Sequence, residues 1–445
     1  MEKLKISKEK LIKTKDIVIF VLLFLWMIMP ILQTFKVTDI TIEMHNLYFG
    51  LMKLIAIVGI GTATITIYDK IKKAENKKEI IKDILPIFIF ILYMAWTLIS
   101  CFQAKWRKNA FYGNSYRKEG WFMYVNYAGF FFCTMLLENK KLRKTLLNTF
   151  IITSIFLMSI NRICLDGQRY QNIFENTEIA DSVFYQFNHY GYYLMLSLTC
   201  SLGLFITEKN KVLKIIYLIS YALIGYALIY NDTFGCYLAM LVILVIYAIY
   251  AIIKKTDRKT IFIAITVFAL LSGAIFKNGE NLAYKNLSQL GEDIKTIFCK
   301  ILNIEIEGED IDKKFDKTGT NRMELWTNGI KFILEKPIIG HGPDNLRHLY
   351  LMKGIEQDRP HNLLIYLACV SGIPGMLIYV TAVGIIVIRG IKSLFQNDQR
   401  GKIYLIVVIT YLISSMFGNS MYYTSPYFFI FLGSLMGCNL KKKEE

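Results

Sequence analysis

The sequence predicts an all-α integral membrane protein with about twelve transmembrane helices and one long extracytoplasmic loop before the tenth. Hydrophobic residues make up 54% of the 445-residue chain, and the mean hydropathy is +0.39. Apolar runs of roughly 16 to 22 residues recur along the whole length, which is the length that a helix needs to cross a bilayer. Lysines and arginines stand in short clusters between these runs, as in proteins whose loops are sorted across a membrane.

The apolar runs place the predicted spans in order. They cover approximately residues 17–35, 47–68, 84–102, 121–137, 146–163, 190–207, 213–230, 236–253, 261–276, 361–388, 403–418 and 426–438. Transmembrane helices 1 to 9 therefore occupy residues 1–276, an extracytoplasmic loop with an amphipathic helix occupies 277–360, and transmembrane helices 10 to 12 occupy 361–445. No small-residue cleavage site ends the first span, so we expect it to remain as an anchor.

The basic residues favour one orientation. The formal net charge is +17, and the lysines and arginines concentrate in the segments that are cytoplasmic when both termini lie in the cytoplasm. The positive charge is therefore explained by the orientation of the chain in the membrane, and we expect no nucleic-acid partner. The eight cysteines form no Cys-x-x-Cys pair and no Cys/His cluster, so neither a disulfide framework nor a metal site is predicted.

One short external loop, residues 103–120, departs from the charge rule. It carries five basic residues, Lys105, Arg107, Lys108, Arg117 and Lys118. Arginine offers paired donors to phosphate, so the loop is a candidate anion-binding surface in which Glu119 pairs with Arg117 or Lys118. An interfacial segment that touches lipid headgroups is an equally good interpretation.

A histidine among tyrosines opens the sixth predicted span. His189 is followed by Tyr190, Tyr192 and Tyr193, and such a group at the mouth of a helix can contact a sugar. The alternative is the aromatic belt that membrane proteins place at the bilayer interface.

The long loop contains one helical pattern. Residues 281–317 are polar and mixed in charge without a clear period. After Asn321, apolar residues at three- and four-residue steps predict an amphipathic helix that ends before Pro337. These apolar residues are Met323, Trp326, Ile330 and Ile333. Arg322 lies in the first turn, where a cation is unfavourable for the helix dipole, so an anionic ligand is one reason for its presence and packing over Trp326 is another.

The strongest local signal is the junction between the long loop and the tenth span. Pro360 suits the entrance of a helix, so His361 is expected in the first turn, where the helix dipole keeps imidazole neutral and able to accept a proton. Eleven residues separate His361 from Gly372 and fourteen separate it from Gly375, which places all three on one helical stripe. The alternative is an interfacial histidine above a helix-packing motif.

These residues carry a resemblance to a known family. His361-Asn362, nine residues, Gly372, two residues and Gly375 resemble the signature of the O-antigen ligase superfamily, which includes O-antigen polymerases and some protein O-oligosaccharyltransferases. The preceding segment is similar too, with Arg322-x-x-x-Trp326 followed by Pro337-x-x-Gly340-x-Gly342. The resemblance in motifs covers roughly residues 230–390.

The resemblance implies a glycosyltransferase of the bacterial cytoplasmic membrane. Such a protein moves a glycan from undecaprenyl diphosphate to an acceptor hydroxyl at the outer face, without metal or cofactor. Its expected partners are a lipid-linked oligosaccharide or polysaccharide donor, a glycan, lipid or protein acceptor, and membrane lipids. By the resemblance, His361 and Arg322 are catalytic. The expected substrate-binding residues are Arg117, Glu119, Arg359, Asn362 and His189.

The sequence departs from the family at one point. The family often has Ser-Arg-Gly at the start of the eighth span, where this chain has Thr233-Phe234-Gly235. Because the arginine is missing, either Arg117, Arg359 or Arg162 is expected to supply the second phosphate contact, or the chain belongs to a divergent branch with another donor.

Three alternative functions remain open at this stage. A repeat-unit polymerase of the same superfamily has the same signature and differs in its acceptor. A transporter also fits twelve spans with both ends inside. However, transporters are usually built from repeated halves with ionisable residues in mid-membrane, and neither is evident here. A non-catalytic lipid-glycan binding subunit fits the missing arginine.

Overall fold

The computed structural model describes residues 2–34, 41–74, 76–115, 117–165, 183–184, 186–302, 304, 310–396, 398–419 and 421–441. These residues are almost entirely helical. The helices are α1 Glu2–Thr34, α2 Thr41–Lys73, α3 Lys77–Gln103, α4 Arg107–Tyr112, α5 Trp121–Leu136, α6 Lys140–Leu165, α7 Phe187–Thr207, α8 Lys211–Asn231, α9 Phe234–Ile253, α10 Arg258–Ala274, α11 Leu282–Ile301, α12 Ile311–Glu335, α13 Leu346–Leu351, α14 Leu363–Phe395, α15 Lys402–Ser414 and α16 Ser425–Lys441.

The helices confirm the all-α membrane class. Each predicted span coincides with one of them. In the described part of the chain, seven helices are long and apolar enough to cross a membrane, namely α1, α2, α3, α7, α8, α9 and α14. Three shorter helices, α5, α15 and α16, are also apolar. Twelve crossings, the domain boundaries and the orientation of the termini stay predictions.

Helix α7 runs through the middle of the bundle. Every residue from His189 to Ile206 is buried, which is expected only of a helix that is enclosed on all sides. It packs against α8 and α15. Because His189 lies in its first turn, this side chain is held where the central helix reaches one end of the bundle.

A short hairpin and a helix connect the bundle to the rest of the long loop. Strands β1 Phe276–Lys277 and β2 Glu280–Asn281 pair antiparallel, and the turn between them has positive φ at both central residues, as tight hairpin turns require. Helix α11 then begins, with the Asn281 side chain accepting a hydrogen bond from the Tyr284 amide at 2.8 Å.

The expectation that this stretch lacks a period is wrong. Helix α11 exposes a stripe of apolar residues at three-, four- and seven-residue steps, consisting of Tyr284, Leu287, Ile294, Phe298 and Ile301. The stripe is hard to see in the sequence because Gly291 occupies its central position and charged residues surround it on both sides.

Helix α12 is divided by a left-handed turn. Gly319, Thr320 and Asn321 have φ values of +66°, +59° and +65°, so regular helix resumes at Arg322 and ends at Glu335, close to the predicted limits. Asp293 of α11 accepts a hydrogen bond from the Gly319 amide at 3.1 Å. The turn therefore fixes Arg322 at the start of the second half of α12.

Helix α14 is broken at Gly372, which corrects the predicted stripe. Gly372 has φ +72° and ψ +170°, a conformation that only glycine adopts readily. The break frees the carbonyls of Cys369 and Val370, which accept hydrogen bonds from the amides of His341 at 2.8 Å and Gly342 at 2.9 Å. At both glycines of the signature, other segments of the same chain therefore pack closely against α14. The loop around Ile338 packs on Gly372, and Trp96 of α3 packs on Gly375.

Candidate active site

A small cavity that is open to solvent lies at one end of the bundle and is lined by both predicted catalytic residues. It opens between the starts of α7, α9 and the second half of α12 and the turn that follows α15. Its lining residues are Gln186, Asn188, His189, Tyr192, Thr233, Gly235, Cys236, Arg322, His361, Phe417, Gly418 and Asn419. A second small cavity shares Tyr192, Gly418 and Asn419 with the first and reaches Arg359 and Tyr366.

His361 precedes the tenth span instead of lying within its first turn. Helix α14 begins at Leu363, and His361 has φ +52°. The pKa of its imidazole is lowered to about 4, first because burial disfavours the charged ring and then because Arg322 lies nearby. This pKa agrees with the prediction of a neutral histidine, which stays a prediction, although its main cause is burial and not the helix dipole. Its Nε2 lies 3.1 Å from Nδ2 of Asn419.

Arg322 reaches the cavity with part of its hydrogen-bonding capacity unused. Its Nη1 donates to the Gly319 carbonyl at 2.8 Å and to Oγ1 of Thr320 at 3.0 Å. Among the described residues its guanidinium has no carboxylate partner, and its buried Nε has no hydrogen-bond acceptor. Burial lowers the pKa of this guanidinium from its usual value, yet arginine stays charged at neutral pH. Arg322 is therefore a cation that lacks a counter-ion from these residues.

Arg117 is in a different electrostatic situation. Its Nε and Nη2 donate to the two carboxylate oxygens of Asp358 at 2.5 and 3.0 Å, and its Nη1 lies 2.9 Å from Nε2 of His189. Burial alone would raise the pKa of Asp358, but the adjacent Arg117 lowers it to about 2. Arg117 thus reaches the cavity only through His189, and Asp358 already balances its charge.

Arg359 is also paired with carboxylates. Its Nη1 donates to Glu119 at 2.6 Å and its Nη2 to Asp344 at 3.0 Å, with all three side chains at most 2% exposed. The guanidinium also lies 4.5 Å from the ring centre of Tyr366. Burial raises the pKa of Asp344. The predicted partners of Glu119 were neighbours in its own loop, whereas the ion pair joins that loop to the segment before α14.

Asn362 caps helix α14. Its side-chain oxygen accepts hydrogen bonds from the amides of Leu364 at 3.0 Å and Ile365 at 3.1 Å, which satisfies two amides that the first turn leaves free. Its Nδ2 donates to the Met416 carbonyl at 3.3 Å. This contact ties the start of α14 to the turn that carries Asn419.

The segment Thr233-Phe234-Gly235 lies where the resemblance places it. Thr233 and Gly235 line the cavity, so this turn contributes to the site without an arginine. Of the three candidates for the missing contact, Arg117 and Arg359 are bound to carboxylates, and the side chain of Arg162 lies outside the described residues.

Sequence reasoning missed several lining residues, of which Asn419 is the one that contacts His361. Asn419 follows α15 in a turn without a motif, and only its distance from His361 marks it. Tyr192 is one of the predicted aromatic group, but it is buried and donates to the Ser414 carbonyl at 2.8 Å. In the ranges that the structure describes, no three His, Cys, Asp or Glu side chains form a metal-binding group, and a metal-independent reaction stays a prediction.

Long apolar helices surround a cavity that is lined by Arg322 and His361 near one end of the bundle, which is the architecture of a helical membrane protein. Residues 219–380 match the family described as O-antigen ligase. This match covers about a third of the chain and confirms the resemblance to the O-antigen ligase and polymerase superfamily for that segment. The matched residues include Arg322 and His361 and exclude Arg117, Glu119 and His189. No curated protein matches the chain.

Proposed function

We propose that this protein is a membrane glycosyltransferase that moves a glycan from undecaprenyl diphosphate to an acceptor hydroxyl at the outer face of the bacterial cytoplasmic membrane, with both termini in the cytoplasm. One observation carries the proposal. A guanidinium without a carboxylate partner in the described part of the chain lines the same cavity as an imidazole whose pKa is about 4. The cavity therefore combines an anion-binding group with a base that is unprotonated at neutral pH.

The transfer needs both of these groups. His361 accepts the proton of the acceptor hydroxyl while the hydroxyl oxygen forms a bond to the anomeric carbon of the glycan. The bond between that carbon and the diphosphate oxygen breaks, and its electron pair leaves with the diphosphate. Arg322, which is half-buried, stabilises the negative charge that grows there. A single displacement of this kind inverts the anomeric configuration.

Of the predicted substrate-binding residues, Arg117, Glu119, Arg359 and Asn362 do not line this cavity and support it from outside. Arg117 and Arg359 hold the external loop, the segment before α14 and the start of α7 together through Asp358, Glu119 and Asp344. Asn362 fixes the entrance of α14 next to His361. In this proposal these side chains position the two reacting groups.

The acceptor separates the two activities of the superfamily. A ligase attaches a finished glycan to a final lipid or protein acceptor, and a polymerase attaches it to another repeat unit. The same catalytic pair serves both, so we propose the shared transfer step, and the identity of the product assigns the activity.

The test is transfer in vesicles that contain the purified protein, a lipid-linked glycan and an acceptor fraction from the host envelope. We expect undecaprenyl diphosphate to be released while the glycan appears on the acceptor. His361→Gln and Arg322→Gln should each lower transfer by about 10²-fold or more, because one removes the base and the other the charge that stabilises the leaving group.

Matched control variants lie side by side in helix α13. Arg347→Gln and His348→Gln remove the same functional groups from residues that do not line the cavity, so both should retain normal transfer. Transfer by the His361 and Arg322 variants at the level of these controls would overturn the proposed mechanism. Absence of lipid release by the unmodified protein would overturn the proposed function.

A further inference from the structure

The contact between Arg117 and His189 fixes the position of the proton on the histidine. Nη1 of Arg117 lies 2.9 Å from Nε2 of His189. A guanidinium has only N–H donors and does not deprotonate in proteins, so Nε2 has to be the acceptor. The imidazole is therefore neutral and carries its single proton on Nδ1.

Arg117 cannot readily turn away from this contact. Its other nitrogens are held by both oxygens of Asp358, its side chain is only 3% exposed, and its amide donates to Oδ1 of Asn114 at 2.8 Å. Asn114 is in turn held by the carboxylate of Asp344 at 2.7 and 2.8 Å. The tautomer of His189 is therefore imposed by a buried network that the ring does not control.

The remaining proton of His189 has no acceptor. Nδ1 is buried and makes no hydrogen bond within the part of the chain that the structure describes. The residue as a whole is only 1% exposed, so bulk water does not supply the acceptor. An unsatisfied buried donor typically costs about 1–3 kcal/mol. His189 lines the cavity that contains Arg322 and His361, so a ligand in this cavity is the natural source of the missing acceptor.

The chemistry of the donor indicates which ligand oxygen it binds. A hydrogen bond from a cationic guanidinium to Nε2 withdraws electron density from the ring, and this strengthens Nδ1–H as a donor. Such a donor gains most from an oxygen that carries negative charge. Of the groups in the proposed reaction, the diphosphate oxygens gain charge as the bond to the glycan breaks, whereas the acceptor hydroxyl loses a proton to His361.

We propose that His189 is a catalytic residue whose Nδ1–H donates to a diphosphate oxygen of the lipid donor, and that Arg117 is the positioning residue that holds this proton in place. The inference rests on the proposed function. It gives the cavity two histidines with opposite roles, since His361 accepts a proton and His189 donates a hydrogen bond. It also supplies a second contact to the diphosphate in a chain that has Phe234 where the family often has arginine.

Two substitutions of His189 separate this role from simple packing. In His189→Asn the side-chain amide lies near the position of Nδ1 and retains a donor there. In His189→Gln the amide lies nearer to Nε2, so the donor at Nδ1 is lost. We expect His189→Gln to lower kcat for glycan transfer by about 10²-fold with little change in KM for the lipid donor, because the contact strengthens in the transition state. His189→Asn should retain most of the kcat.

A double-mutant cycle tests the role of Arg117. As a single substitution, Arg117→Lys should lower kcat, since lysine does not offer the planar set of donors that reaches both Asp358 and His189. The same change should have little further effect in the His189→Gln background, because the two residues act through one hydrogen bond. Each variant is compared with the unmodified protein by thermal unfolding in detergent, and kcat is expressed per folded protein.

The outcomes distinguish this inference from the proposed function. If the unmodified protein transfers glycan and His189→Asn and His189→Gln lose the same kcat per folded protein, the assigned donor is wrong while the transferase remains. Independent effects of Arg117→Lys and His189→Gln would also overturn it. As a readout that does not depend on transfer, we expect binding of undecaprenyl diphosphate in nanodiscs to weaken about tenfold in His189→Gln and to be retained in His189→Asn. Equal binding by all three proteins would contradict the contact with diphosphate.

Discussion

The pKa of His361 gives a prediction about acid tolerance. The proposed base has to be neutral, and burial together with Arg322 lowers its pKa to about 4. At about pH 5.5, a histidine with the usual pKa of about 6.5 is roughly 10% neutral, whereas one with a pKa of about 4 is roughly 97% neutral. The two cases differ about tenfold in active enzyme, which is readily measured.

The assay is the pH dependence of kcat/KM for glycan transfer, which reports the pKa values of the free enzyme. We expect kcat/KM to stay level from neutral pH to about pH 5 and to fall as the pH approaches 4, since protonation of His361 removes the base. An acid limb near pH 6.5 would refute the reasoning, because the base would then be in contact with water or would be another group.

A substitution of Asn419 tests whether protonation of His361 causes the fall of kcat/KM at acid pH. Nδ2 of Asn419 lies 3.1 Å from Nε2 of the histidine, so Asn419→Asp places a negative charge beside the ring and favours its protonated form. The acid limb should move upward by about one to three pH units. A limb that stays in place would show that the titrating group is not this histidine.

The remaining predictions concern the framework, and thermal unfolding in detergent measures each of them. Gly372→Ala should destabilise the protein by roughly 1–3 kcal/mol, because alanine does not tolerate the backbone conformation of the break in α14; Gly384→Ala, in the same helix with open space around it, should have little effect. Arg359→Met should cost about 3–5 kcal/mol, because it leaves two buried carboxylates without their cation, whereas Lys108→Gln on the exposed face of α4 should be nearly neutral. Asn362→Ala removes the cap of α14 and should cost about 1 kcal/mol. Equal melting temperatures for Gly372→Ala and Gly384→Ala, or for Arg359→Met and Lys108→Gln, would contradict the role assigned to Gly372 or Arg359. An unchanged melting temperature for Asn362→Ala would contradict its role as the helix cap.

Features with a simple period were predictable from the sequence. Long apolar runs determine where helices form in a membrane protein, and each predicted span coincides with a helix. The second half of α12 was also predictable, since its apolar residues recur at helical steps and Pro337 marks its end. The meeting of Arg322 and His361 in one cavity was expected from a family signature alone, because the 38 residues between them in the sequence give no distance in space.

Other features depend on contacts that the sequence does not show. Gly372 looks like a small residue in a continuous helix, but the loop around Ile338 occupies the space that a continuous helix would fill. His361 was predicted in the first turn of the tenth span, but it lies two residues before Leu363, because Asn362 caps the helix after it. Arg117 and Arg359 looked alike as external cations, and only the folded chain shows that carboxylates distant in sequence already hold both.

The pairing of these two arginines has a consequence for turnover in the proposed reaction. After transfer, the spent carrier bears more charge on its diphosphate than the substrate did, and a site with three unpaired guanidinium groups would retain it strongly. Asp358, Glu119 and Asp344 neutralise two of the three arginines, which leaves Arg322 as the principal cation of the cavity. In the proposed reaction, one full charge and neutral hydrogen bonds hold the product, which favours its exchange for the next lipid-linked glycan.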